Sequence, residues 1–140
     1  MLKTGTNILL IWTGINFLLA TLILTSVILF KANSPWLVMV FKKTEIAVLD
    51  QRVIASLNGL TILYNSCSMI VSVMVWIIIQ RNLVNGEAWA FWVLLFTIGF
   101  IEVMAFIASA QVDHARWQVN VIQSVLFILG IVLSGIALFK

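Results

Sequence analysis

Cysteine, histidine, proline and tyrosine occur once each in this chain of 140 residues, and charged residues make up only 9% of it. Each scarcity removes a class of function. A lone Cys67 cannot close a disulfide within the chain, and the CxxC pair of a thiol oxidase is absent. A small buried hydrophobe is the plain expectation for it. His114 stands beside Asp113, but one histidine and one aspartate are too few ligands for a zinc site. No nucleophile–base pair and no nucleotide-binding loop occurs, so the chain is expected not to be an enzyme and to need no cofactor or metal. Eight Lys/Arg against five Asp/Glu leave a net charge of +3, scattered through tail and loops. No basic tract could follow a phosphate backbone, which argues against nucleic acid as a partner.

Apolar residues are abundant instead. They form 63% of the chain, against ~45–50% in an ordinary soluble domain, and no soluble fold of this length could hide that much. Four uninterrupted runs hold most of them: Ile8–Phe30, Val53–Ile79, Ala88–Ala110 and Val119–Phe139. A bilayer core ~30 Å thick is crossed by about 20 helical residues, so each run is long enough to span it. The expected fold is therefore all-α, a single domain over residues 1–140. It is an integral membrane, antiparallel four-helix bundle running up-down-up-down, with helices at about 8–30, 53–80, 87–110 and 116–139. The first run is longer than the ~7–15 residues of a signal-peptide core and no small-residue cleavage site closes it, so it reads as a retained helix.

The connections differ in length. Residues 31–52 form the longest, in which Asn33, Ser34 and Pro35 break the first helix. Apolar Trp36–Phe41 is followed there by charged Lys42, Lys43 and Glu45. Such a mixed stretch is expected to lie along the headgroups as a short interfacial segment, with Trp36 as an anchor. A tight turn at 81–86 leads to Glu87, placed to complement a helix dipole, and to Trp89 and Trp92. Basic residues number five on the long-loop face (Lys31, Lys42, Lys43, Arg52, Arg116) and three on the other. That count puts the long loop in the cytoplasm, whereas a lone Lys3 ahead of a retained first helix favours cytoplasmic termini. The second orientation is adopted, in the cell membrane.

Polar residues inside the runs fall into stripes. Asn58, Thr61, Asn65, Ser68 and Ser72 are spaced 3, 4, 3 and 4 apart, which puts them on one helical face. Gly99, Glu102, Ser109 and Asp113 repeat the pattern in the third run. Asn120, Ser124 and Ser134, with Gln123 beside them, do so in the fourth, and Thr13 and Asn16 in the first. Lipid satisfies neither amides nor hydroxyls, so the stripes are expected to face one another. At ~1.5 Å per residue they grade from Asn120 at roughly 6 Å depth to Asn65 at roughly 18 Å, with Glu102 at roughly 15 Å. Asp113, His114 and Arg116 form the rim. A polar pocket open on the long-loop side is the economical expectation, built from Glu102, Asn58, Thr61, Asn65, Asn120 and Gln123. An acid at that depth costs at least ~2.5–3.5 kcal/mol on insertion scales, which makes Glu102 a functional candidate. Its alternative role is a hydrogen-bonded tie to Asn65 or Asn58.

These residues suggest an accessory subunit of a larger membrane complex, or a binder of a lipophilic small molecule, with another membrane subunit or a second copy as partner. Two other functions stay open: proton-coupled transport of a small solute by a homodimer using Glu102, and a lipid enzyme acting through Asp113 and His114 at the headgroups.

Overall fold

Every described element of the computed structural model is helical. It describes residues 1–41, 43–110 and 117–140, and the side chains of Ala32, Met39, Lys43, Ser109, Trp117 and Gln118 stay outside that description. Helix α1 spans Leu2–Phe30, starting at Leu2 where the apolar run suggests Ile8. The polar start does not stop it, because the Thr6 hydroxyl bonds back to the Lys3 carbonyl at 3.1 Å and Gly5 is wanted for packing. A 3-10 turn, Lys31–Asn33, follows, with Lys31 in the left-handed region at φ 47.

The long connection is built rather than loose. Ser34 accepts a hydrogen bond from the Leu37 amide at 3.2 Å, and Pro35 occupies the first helical position, where it has no amide to lose. Together they start a short helix, α2, over Pro35–Val40. Helix α3 (Lys43–Ala47) follows, and then Asp50 caps the long α4 through the Arg52 amide at 2.7 Å. Helix α4 spans Gln51–Ile78 and widens into a π turn over Ile79–Leu83. Gly86 closes the turn at φ 81, a conformation that favours glycine. Glu87 holds this turn, accepting from Asn82 Nδ2 at 2.8 Å and Trp89 Nε1 at 2.5 Å. Helices α5 (Ala88–Ala110) and α6 (Trp117–Leu138) complete the order. Four of the helices are long and apolar enough to cross a membrane.

Helix α1 packs against both α4 and α6, and α5 packs against α6. The densest core lies at one end. It joins Leu9 and Trp12 of α1 to Val75, Ile79 and Leu83, to Ala90, Phe91, Leu94 and Ile98 of α5, and to Phe127 and Ile131 of α6. The α1–α6 approach there is very close. A Cβ on Gly5 would lie 2.7 Å from the Ser134 amide nitrogen and 2.8 Å from the Gly130 carbonyl oxygen. Small residues permit such approach between apolar helices.

Gly5→Ala must push α6 away, and overpacking of this kind costs about 1–3 kcal/mol. Gly59 has nothing within 4 Å of a built Cβ, so Gly59→Ala is expected to be neutral or slightly stabilising. Thermal unfolding in detergent compares the two. A Gly5→Ala protein as stable as Gly59→Ala would contradict the packing described.

Candidate functional site

Among the described residues, most side-chain hydrogen bonds in the long helices run to the same helix's backbone. Thr13 donates to the Leu9 carbonyl, Thr21 to Phe17, Thr61 to Leu57 and Ser72 to Ser68, each at 2.8 Å. Asn65 Nδ2 does the same to the Thr61 carbonyl, also at 2.8 Å. This bonding one turn back is a local option for Ser, Thr and Asn in a helix. Among the described residues, four side-chain bonds join one long helix to another: Trp12–Glu102, Ser124–Glu102, Gln123–Asn16 and Asn120–Ala105. The stripe on α4 does face inward, with Asn65 and Ser72 buried, yet its bonds stay largely within α4. Asn58 Oδ1 is buried with no partner among the described residues.

The crossing bonds gather at two places. At the first, Glu102 on α5 is buried. Its Oε1 accepts from Trp12 Nε1 of α1 at 3.1 Å, and its Oε2 accepts from the Ser124 hydroxyl of α6. One carboxyl thus ties three helices together. The sequence suggested Asn65 or Asn58 as its partner, but neither bonds to it. Trp12, 2% exposed, leans on Phe127 at a centroid distance of 6.0 Å. It joins the apolar core by its ring and the tie by its N–H, a dual role open to any buried tryptophan.

At the second place, Gln123 Nε2 donates to Asn16 Oδ1 at 3.3 Å, and Asn120 Nδ2 donates to the Ala105 carbonyl at 3.3 Å. Asn16, Asn120 and Gln123 border a cavity of about 520 Å³, a volume within the ~300–1,000 Å³ usual for small-molecule sites. Its walls come from α1, α2, α4 and α6. Asn65, 4% exposed, faces it from α4. Trp36, expected among the headgroups, is half-buried and forms part of the α2 wall. Leu22 and Tyr64, 65% and 63% exposed, stand at its edge, so the cavity is not sealed.

The expected pocket residues therefore divide. Asn65, Asn120 and Gln123 line the cavity, whereas Glu102, Asn58 and Thr61 are not among its lining residues. The expected rim of Asp113, His114 and Arg116 lies outside the described residues. The sequence reading assigned no site role to Trp12, Trp36 or Ser26, and a tryptophan or serine in an apolar run carries no signal that separates wall from filler. Among the described residues, no three His, Cys, Asp or Glu side chains come together as a metal site requires. No family model matches the chain, and neither the curated proteins nor the solved structures contain a match to it.

Trp12→Phe keeps the ring but strips Glu102 Oε1 of its donor. A buried group left unpaired costs about 1–3 kcal/mol, so the variant should unfold at lower temperature in detergent. In Glu102→Leu the penalty of Trp12→Phe should shrink, because the two changes remove one interaction. Equal penalties in both backgrounds would show that the tie contributes nothing to stability.

Proposed function

We propose that this chain is a multi-pass membrane protein, a single four-helix antiparallel bundle in the cell membrane, which holds a lipophilic small molecule in the cavity between α1, α2, α4 and α6. The observation that carries this reading is a hollow of about 520 Å³ whose mostly apolar wall carries a few amide and hydroxyl groups. Binding sites for small molecules share that composition: mostly apolar surface with a few placed polar groups. Large apolar side chains cover the outer faces of the long helices, among them Leu60, Ile70, Phe96, Phe100 and Ile128, as contact with acyl chains requires. No catalytic role is proposed. A binder without chemistry acts through something else, so we place it as an accessory subunit of a larger membrane assembly, beside another membrane protein or a second copy.

Proton-coupled transport through Glu102 has less support. The buried acid motivates it, but both carboxyl oxygens already have donors and Glu102 is not in the cavity wall. Glu102→Gln should abolish solute uptake if that reading holds, and leave cavity binding intact if the proposed one does.

Purification from native membranes in mild detergent, followed by solvent extraction and mass spectrometry, tests the proposal. One lipophilic species is expected near one-to-one with the protein. It should fall severalfold in a monodisperse Asn65→Leu/Gln123→Leu variant. An extract matching the bulk membrane in both proteins would defeat the reading.

A further inference from the structure

Resting on the reading that this cavity is occupied, we infer that its occupant is an uncharged amphiphile whose head both donates and accepts hydrogen bonds, of the hydroxyl class. The first ground is charge. Among the described residues the cavity wall holds no Lys, Arg, His, Asp or Glu. An ionised head set against these walls would leave water without gaining a counter-charge from them, the costliest form of burial.

The second ground is which amide atoms are spent. Asn65 is 4% exposed, and its Nδ2 gives a hydrogen to the Thr61 carbonyl. Its Oδ1 accepts nothing among the described residues. Gln123 Nε2 is engaged with Asn16 Oδ1, which leaves Gln123 Oε1 and Asn16 Nδ2 without partners of their own among those residues. The wall thus offers amide acceptors at Asn65 and Gln123 and an amide donor at Asn16, with the hydroxyls of Ser68 and Tyr64 beside them. A hydroxyl answers both kinds of group at once. A ketone or ester answers only donors, and leaves the amide oxygens it covers unmet.

The third ground is shape. Leu19, Ile23, Trp36, Val40 and Val119 supply apolar wall beside these amides, and the exposed Leu22 and Tyr64 mark an edge through which a chain can leave. A smaller hollow of about 280 Å³ between α1 and α4 has no such equipment: its two hydroxyls, on Thr13 and Ser72, are both spent on carbonyls of their own helices.

The test uses the full chain in phosphatidylcholine nanodiscs and four radiolabelled probes with one tail: oleyl alcohol, methyl oleate, oleate and oleylamine. Occupancy is compared at equal mole fraction in the bilayer. Oleyl alcohol should bind saturably. Methyl oleate should bind about tenfold more weakly, since it leaves a buried acceptor unpaired, and the two charged probes should be at least that weak. Asn65→Leu should bring the alcohol-to-ester ratio close to one, with the alcohol weakened and the ester not, a pattern that general loss of structure cannot produce. Charged probes binding as tightly as the alcohol, or an alcohol-to-ester ratio unmoved by Asn65→Leu, would overturn the inference and leave the cavity's binding role standing. Saturable binding by none of the four would remove the binding role itself.

Discussion

Hydrogen bonding without water is the constraint that a membrane setting, as proposed above, would impose on this chain. With 63% apolar residues and four helices of membrane-crossing length, few polar groups would then have solvent to turn to. A helical backbone meets that constraint, as any backbone in hydrocarbon must. Several hydroxyls meet it one turn back along their own helices, as Thr13, Thr21, Thr61 and Ser72 do. Ser124 instead reaches across to Glu102, and Ser134 Oγ is buried with no partner among the described residues. Bonding one turn back is local, so it specifies nothing about which helix stands beside which. Tertiary specificity falls to the groups that cannot be satisfied locally. These are the Glu102 carboxyl, the Trp12 indole, and the amides of Asn16, Asn120 and Gln123.

The two ends of the molecule spend their volume differently. Leu9, Trp12, Leu94, Ile98 and Phe127 fill one end, and the Gly5–Gly130 approach draws α1 and α6 together there. Toward the long connection the facing residues include the small Ala20, Ser26 and Ser68, and the space between the helices is left open. Helix α2 does not fill it but walls it. Ser34 and Pro35 fix where α2 begins, and that start sets Trp36 against the cavity. A cap in a loop thereby shapes a site formed mainly by helices.

Helix number and type were legible because length and hydropathy alone decide them; no other element suits runs of this length. The inward faces were legible too, since a 3,4 spacing puts Asn58, Thr61, Asn65, Ser68 and Ser72 on one side whatever they meet. What the spacing could not give is rotation about the assembly. Depth along a helix places Glu102 near Asn65, yet it does not say that α1 and α6 receive the carboxyl while α4 faces the cavity. Trp12 escaped notice because an indole reads as apolar and its single N–H leaves no periodic trace. The start at Leu2 escaped because the apolar run begins only at Ile8, and hydropathy does not mark Lys3, Thr4, Thr6 and Asn7 as part of the helix. The function had no counterpart in any motif, and only the arrangement of unspent amide atoms gives it content.

The tie and the cavity share α1 and α6 but little else. Glu102 binds α5 to them through Trp12 and Ser124, while the cavity adds α2 and α4. The Gln123–Asn16 bond belongs to both, because it joins α1 to α6 and also forms cavity wall. Under the proposed binding role, its position accounts for two amides where a pair of leucines would pack well. Apolar side chains there would hold the helices together but leave the cavity fewer polar groups, chiefly Asn65, Asn120 and Ser68, to orient a polar head. An amide pair spends one donor and one acceptor on cohesion and keeps a donor and an acceptor for whatever enters.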